Sequence, residues 1–295
     1  MPPATLSSQR LQSLNPQWCA ELHDWFQCLL DGSPVQADAL RHLIRQLLLD
    51  VCEIQQPRRL LEWIFADIGS SFPTQVSDVE KRVSIVGIQT ARLISWSAGH
   101  MPAWRQQLDV LAMSAVLQDC GFLVLNEHRC DGAIARHANH HPTIGRALLA
   151  GMRDCSMQIP IIVGQHHERS DGLGRPQQLP HRELLPASRY LAIAVRFWET
   201  ACSLMDAGSP APTRFTRAIQ DSAGQLHREA ECGAFDLALT TLFLEQLELL
   251  PGSSSPLRRQ VAGRLIRTDM QHCWHGPHRR PASQALHEQA EAAAQ

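Results

Sequence analysis

The sequence of 295 residues has no apolar run approaching the roughly 18 to 20 residues that a membrane-spanning helix needs. Its first residues, MPPATLSSQRLQSLNPQW, lack the basic segment and the following apolar stretch of a secretory signal peptide. Glycine and proline, with 17 and 18 residues, occur in ordinary amounts, which excludes collagen-like and low-complexity proteins. We therefore expect a folded protein that stays in the cytoplasm and has no membrane partner.

Lysine is almost absent, because Lys81 is the single lysine among 27 basic residues and all the others are arginine. The net charge of -2 and the pI near 6.7 argue against a large basic face, so we expect no nucleic-acid partner. Arginine suits local recognition of phosphate, since its planar guanidinium can donate two parallel hydrogen bonds to one group.

The nine cysteines are odd in number and include no CxxC pair, which indicates neither a disulfide framework nor a zinc ribbon. We expect them to be reduced thiols in the core. Histidine, in contrast, is abundant, with 15 residues, seven of which lie between His128 and His181. We therefore expect the functional site in this segment.

Tyrosine occurs once and Val-rich stretches are few, so the usual composition of β-strands is missing. Apolar residues recur at helical spacing along the whole chain, which predicts an all-α fold. Three helices are predicted in residues 17 to 69, and GSSFPTQ at 69 to 75 is typical of a joint. Ser-Asp-Val-Glu, beginning at Ser77, has the form of a capping box at the start of the next helix. Later helices are predicted at about 103 to 119, 142 to 152, 157 to 167, 186 to 205, 211 to 229, 234 to 249 and 256 to 268.

Asp119 lies four residues beyond Ala115 on the buried face of the helix predicted at 103 to 119. Both burial and the helix macrodipole disfavour a carboxylate at this helix end unless a cation or several donors are close. The alternative is a solvated aspartate just beyond a fraying helix end.

Three histidines are candidates for the partners of this carboxylate. His141 directly precedes Pro142 at a helix entrance, from which its side chain can point into a cleft. His166 and His167 are adjacent at the end of a short apolar helix, where fraying lets both rings reach one centre. Three imidazoles and a carboxylate suit Fe, Mn or Zn better than Ca or Mg. A pair of ordinary hydrogen-bonded histidines is the alternative.

The spacing of these residues resembles that of the HD-GYP proteins, a branch of the HD phosphohydrolases that cleaves cyclic di-GMP at a helical site with two or three metals. HHERSDGLGRP at 166 to 176 stands where the family has HHExxDGxGYP, HPTIG at 141 to 145 matches HPxxG, and QDCG at 118 to 121 occupies the place of HDIG. GAFD at 233 to 236 and LPG at 250 to 252 resemble the closing segments. The resemblance covers about 77 to 268 and implies an HD-domain-like helical bundle.

By this resemblance, Asp119, His141, His166 and His167 are the ligands of one metal subsite, and Asp119 is the candidate catalytic residue. The positions that would hold a second ion have changed: Gln118 replaces histidine, Val195 replaces aspartate and Val79 aligns near an upstream histidine. Phe122 stands in place of a lysine, and Arg175 in place of the tyrosine of GYP. One transition-metal ion, Fe, Mn or Zn, is therefore expected.

The resemblance divides the chain into an N-terminal helical region at 1–72, for sensing or dimerisation, an HD-GYP-like domain at 73–268 and a polar tail at 269–295. We interpret the protein as a degenerate cyclic-di-GMP signalling module that binds metal, nucleotide or a protein partner, with weak or no phosphodiesterase activity. An active metal-dependent phosphodiesterase and a structural helical scaffold are the alternatives.

Several other polar residues near the motifs are weaker candidates. Arg169, Arg175 and Arg182 flank the predicted site and can hold phosphate oxygens, although solvated arginines are the alternative. His128, His137, His140 and His181 are interpreted as loop residues. The tail histidines, His272, His275 and His278, are interpreted as residues that do not pack.

Overall fold

The computed structural model describes residues 16–33, 37–54, 56–65, 76–127, 138–152, 156–206 and 212–250. These residues form an all-α fold, as predicted, with no strand and only one isolated antiparallel bridge between Asp171 and Pro180. The proposed joint at 69 to 75, the helix predicted at 256 to 268 and the tail lie outside the described residues.

The first three helices are α1 (Pro16–Leu30), α2 (Ala37–Cys52) and α3 (Pro57–Ile64), in the region where three were predicted. They pack against the long helix α4 (Asp78–Gly99) and share one continuous hydrophobic core with the rest of the described chain. Ser77 caps α4, because its hydroxyl accepts a hydrogen bond of 3.2 Å from the Glu80 amide.

A buried cation lies where the N-terminal helices meet α4. Arg92 is 1% exposed, and its guanidinium carbon lies 3.5 Å from the centroid of the Trp63 ring. It donates a 3.0 Å hydrogen bond to the Gln89 amide oxygen. Burial lowers the pKa of Arg92 to about 9. The aromatic face and the amide thus compensate part of the cost of burying a guanidinium.

A second aromatic contact joins this region to a part of the chain that is distant in sequence. Phe65, which follows α3, stacks on Trp198 with ring centroids 4.6 Å apart and contacts Phe215 edge-on at 6.1 Å. His23 of α1 also lies 2.5 Å from the buried Glu80 carboxylate of α4. Residues 16–65 therefore contact both α4 and a part of the chain more than 100 residues later.

The remaining helices build the part of the bundle that carries the predicted site. They are α5 (Leu108–Leu117), α6 (Gly121–Glu127), α7 (His141–Leu149), α8 (Gln158–Gln165), α9 (Pro186–Asp206), α10 (Pro212–Glu231) and α11 (Leu237–Gln246). Two short 3-10 helices, η1 (Ala138–His140) and η2 (His181–Glu183), join them. Helix α6 was not predicted from the sequence, and the helix predicted from 103 begins only at Leu108, after a run of turns.

One segment of the described residues is long and apolar enough to be a candidate membrane span. Leu108–Leu125 has the length and, with a mean hydropathy of 1.7, the composition of a membrane-spanning helix. In the structure 67% of this segment is buried, and turns at 118–120 divide it into α5 and α6. The segment thus lies in the bundle as a core helix of a folded domain does.

Helices α6 and α7 approach each other so closely that Gly121 has no room for a side chain. A Cβ at this position would lie 2.1 Å from the His141 carbonyl oxygen and 2.8 Å from the Gly145 amide nitrogen. Because both neighbours are backbone atoms, only a displacement of one helix can relieve such a clash.

We expect Gly121→Ala to lower the free energy of unfolding by about 1 to 3 kcal/mol, the usual cost of overpacking. Gly151→Ala is the matched control, since a Cβ at Gly151 would meet nothing within 4 Å. Urea unfolding of both variants measures the difference. Equal stability of the two variants would contradict the close approach.

Candidate metal centre

The structure brings Asp119, His141, His166 and His167 together. Asp119 lies in the turn between α5 and α6, His141 is the first residue of α7, and the two adjacent histidines directly follow α8. Each residue offers one potential ligand atom, and these four atoms all lie within 4.8 Å of one another. His141 and His166 are each 1% exposed.

The shortest distances within the cluster join the carboxylate to two imidazoles. Asp119 Oδ1 lies 3.1 Å from His141 Nε2 and 3.6 Å from His166 Nε2, and the two Nε2 atoms are themselves 3.1 Å apart. Such spacing is what donor atoms bonded to one ion at about 2.0 to 2.2 Å would show.

Contacts on the outer side of the imidazoles fix their orientation. His166 Nδ1 donates a 2.6 Å hydrogen bond to the Val163 carbonyl oxygen, which leaves the Nε2 lone pair free to face the cluster. Phe122 stacks on His141 with ring centroids 4.0 Å apart and planes at 18°. The residue that the resemblance aligns with a lysine thus packs against a ligand candidate.

The electrostatics of the cluster favour a bound cation. Burial raises the pKa of Asp119, but hydrogen bonds with His141 and His166 outweigh it and hold this pKa well below its usual range. Burial, followed by the charge of His166, lowers the pKa of His167 well below the usual value for histidine. A neutral imidazole and an ionised carboxylate are the forms that bind metal.

The donor set therefore fits a metal ion. Three imidazole nitrogens and one carboxylate oxygen suit Fe, Mn or Zn, and the hydrogen bond from His166 to a carbonyl is the support that metal-binding histidines usually have.

Few ligand atoms for a second metal ion are present at the three positions where the resemblance implies lost ligands. Gln118 is fully buried, and its amide nitrogen donates to the Thr90 hydroxyl over 3.5 Å. Its amide oxygen has no hydrogen-bond partner in the described part of the chain. Val195 is 3% exposed in the core, and Val79 packs against the core from the first turn of α4. The valines cannot bind metal at all.

A pocket of about 290 Å³ adjoins the two adjacent histidines. Its wall contains charged residues from the loop after α8 and from α9 and α10. It is lined by His166, His167, Glu168, Arg169, Leu173, Gly174, Arg175, Ala192, Arg196, Glu199, Glu229 and Phe235. The pocket gives a small polar ligand access to one side of the cluster.

The predicted arginines separate into two groups. Arg169 and Arg175 line the pocket, whereas Arg182 lies on η2 outside it, with its side chain 86% exposed. Arg169 is neutralised by two hydrogen bonds to Asp171, but Arg175 donates to the neutral amide oxygen of Asn139 at 2.8 Å.

Three charged pocket residues were not predicted from the sequence. Arg196 and Glu199 lie on α9, and Glu229 on α10 pairs with Arg196 through two hydrogen bonds. Burial, followed by the negative charge of Asp119, raises the pKa of Glu199, whose carboxylate lies 4.0 Å from His167 Nε2. The spacing of Ala192, Arg196 and Glu199 on one helical face was the signal that could have found them.

Glu168, the third residue of the HHE motif, holds the loop at 168–180, which follows α8, in place through hydrogen bonds. Its buried carboxylate accepts hydrogen bonds from the amides of Gln177 at 2.7 Å and Leu179 at 3.1 Å. The loop passes so close that a Cβ on Gly174 would lie 2.2 Å from the Arg169 amide nitrogen. Glu168 thus positions Arg175 indirectly, by shaping the loop that carries it.

The far end of this loop is held by a chain of hydrogen bonds. Arg189 donates to His181 Nε2 at 2.6 Å and to Asp236 at 2.7 Å, and His181 Nδ1 contacts the Ser170 hydroxyl at 3.2 Å. Asp236 also caps α11 by accepting from the Leu239 amide. His140 is exposed at the end of η1, whereas His128, His137 and the tail histidines lie outside the described residues.

One comparison with known proteins agrees with this architecture. A family model described as an HD domain matches residues 89–229. Searches of curated proteins and of solved structures found no match. The matched segment contains all four cluster residues and every pocket residue except Phe235. The part of the chain that builds the site is therefore similar to the HD domains of the HD phosphohydrolase superfamily.

Proposed function

We propose that this protein is a degenerate HD-GYP-type module that binds one transition-metal ion and a phosphate-containing ligand, with weak or no phosphodiesterase activity. The observation that carries the proposal is the His/Asp cluster, whose two adjacent histidines line the pocket. In this proposal the ligand is a cyclic dinucleotide, and the protein acts in the cytoplasm, with a protein partner in signalling.

Arg175 is the residue best placed to hold a phosphate oxygen. Among the described pocket residues, the positive charges of Arg169 and Arg196 are neutralised by Asp171 and Glu229. The guanidinium of Arg175 has only the neutral Asn139 amide as its hydrogen-bond partner in the described hydrogen bonds. Its charge is therefore available to a phosphate that enters beside His167.

The expected weakness in hydrolysis follows from the residues around Asp119. When bound, a divalent ion polarises a phosphoryl oxygen, and two-metal enzymes add a second ion that holds the leaving oxygen. Gln118 supplies only a neutral amide and Val195 supplies no donor, so this chain lacks the side chains for the second role. An active phosphodiesterase is the alternative, and a metal-free helical scaffold is a further one.

Replacing His166 and His167 together with Gln tests the metal centre. If an ion binds only the folded state, its loss costs about 2.7 kcal/mol at a metal concentration 100 times Kd, which appears as a lower melting temperature. A chelator should lower the melting temperature of the wild type toward that of the variant and leave the variant unchanged. His140→Gln, at an exposed histidine outside the cluster, is the matched control and should behave as the wild type. Equal chelator responses in wild type and double variant would reject the metal centre and favour the scaffold.

Cyclic di-GMP hydrolysis should be slower than about 1 per second, the lower end of ordinary enzyme turnover. The physical reason is the missing second set of ligands at Gln118 and Val195. The assay uses protein purified without a histidine tag, with its metal content measured on the same sample. Metal-loaded protein that turns over at about 1 to 1000 per second would establish the active enzyme instead.

Arg175→Gln should weaken the binding of cyclic di-GMP to the metal-loaded protein by about ten-fold or more, because a hydrogen bond to a charged group contributes about 1.5 to 3 kcal/mol. Arg182→Gln is the control, since this exposed side chain does not line the pocket. Calorimetric titration of both variants measures the affinity. Equal losses in both variants, or no loss in either, would remove Arg175 from the ligand site.

A further inference from the structure

Glu199 is a carboxylate of the pocket wall that belongs neither to the cluster nor to the hydrogen bonds that hold the loop. Glu168 is occupied by two backbone amides, and Glu229 accepts hydrogen bonds from Arg196 and Gln225. In the described hydrogen bonds Glu199 has no donor of its own, and His167 Nε2 lies 4.0 Å from its carboxylate. A carboxylate in this position is available to a ligand.

We propose that Glu199 is a further protein ligand of the metal ion, so that five side chains hold it. This inference rests on the proposed function, since it presupposes that the cluster of Asp119 and three histidines binds an ion.

The distance to His167 is compatible with a shared ion. Two donor atoms that are each bonded at about 2.0 to 2.2 Å to one ion lie no more than about 4.4 Å apart. Glu199 Oε1 and His167 Nε2 are 4.0 Å apart. Glu199 stands outside the group of four atoms that lie within 4.8 Å of one another, so its side chain must rotate inward. Its side chain is 44% exposed, which leaves room for that rotation.

The charge of a bound divalent ion also favours a second carboxylate ligand. Three neutral imidazoles and one carboxylate leave a divalent ion with one uncompensated positive charge beside the nearly fully buried His141 and His166. A second carboxylate removes that charge and thus the cost of keeping it away from water. Asp119 and Glu199 also repel each other, and a cation between them relieves this repulsion.

A fifth ligand also determines which metal the site prefers. Zn²⁺ held by four protein ligands is a closed tetrahedral site, which leaves no position for a phosphate. Mn²⁺ and Fe²⁺ accept six ligands, so five side chains leave one position for a ligand in the pocket. Glu199 therefore favours Mn²⁺ or Fe²⁺ over Zn²⁺ and keeps the ion able to bind phosphate.

The test is the affinity of the full chain for Mn²⁺, measured by calorimetry for wild type, Glu199→Gln and Glu183→Gln. Glu183 is the matched control, because its side chain is similarly exposed, at 51%, and lies outside the pocket. We expect Glu199→Gln to weaken Mn²⁺ binding by about ten-fold or more, the scale on which residues around a metal act, and Glu183→Gln to leave it unchanged. Melting temperatures of the metal-free proteins show whether each variant is folded.

Co²⁺ distinguishes a ligand from a distant charge, because tetrahedral Co²⁺ absorbs visible light much more strongly than five-coordinate or six-coordinate Co²⁺. Glu199→Gln should increase the absorption per bound Co²⁺ relative to wild type. Unchanged Mn²⁺ affinity and an unchanged Co²⁺ spectrum would overturn the role of Glu199 and leave the proposed function intact. A wild type that binds neither ion would overturn both.

Discussion

The backbone contact between α6 and α7 is the constraint on which the candidate site depends. Gly121 lies against the His141 carbonyl, and Asp119 precedes Gly121 by only two residues. The absence of a side chain at one position therefore sets the distance between the carboxylate and the first imidazole, 3.1 Å. The His166 and His167 rings complete the cluster because α8 packs against both α5 and α7.

Much of the fold and the core of the site could be predicted from the sequence. Helical spacing of apolar residues predicted α4, because such a long helix repeats its buried face several times. The capping-box form of Ser-Asp-Val-Glu predicted its Ser77 cap. Helix α6, with the sequence GFLVLNE, was missed because seven mostly apolar residues are too few to show a period. Asp119, His141, His166 and His167 could be predicted because each lies at the start or the end of a helix that is recognisable in the sequence.

The pocket wall could not be predicted in the same way. Arg182 is close to the motifs along the chain, but η2 turns it toward solvent, whereas Arg196 and Glu199 are farther along the chain and face the pocket. These placements depend on how α9 packs against α8 and α10, which is a tertiary arrangement. The contacts of Arg92 with Trp63 and of Phe65 with Trp198 have the same origin, since each joins residues that are not neighbours in sequence.

The hydrogen bonds of Glu168 change how substitutions in the HHE motif should be interpreted. His166 and His167 offer nitrogen atoms to the cluster. Both carboxylate oxygens of Glu168 instead accept hydrogen bonds from the amides of Gln177 and Leu179. A variant at Glu168 releases the loop that carries Arg175 but keeps all four cluster residues. Under the proposed function, such a variant would lose ligand affinity and keep its metal, so a screen that scores only activity would mistake a residue that shapes the loop for one that binds the ion.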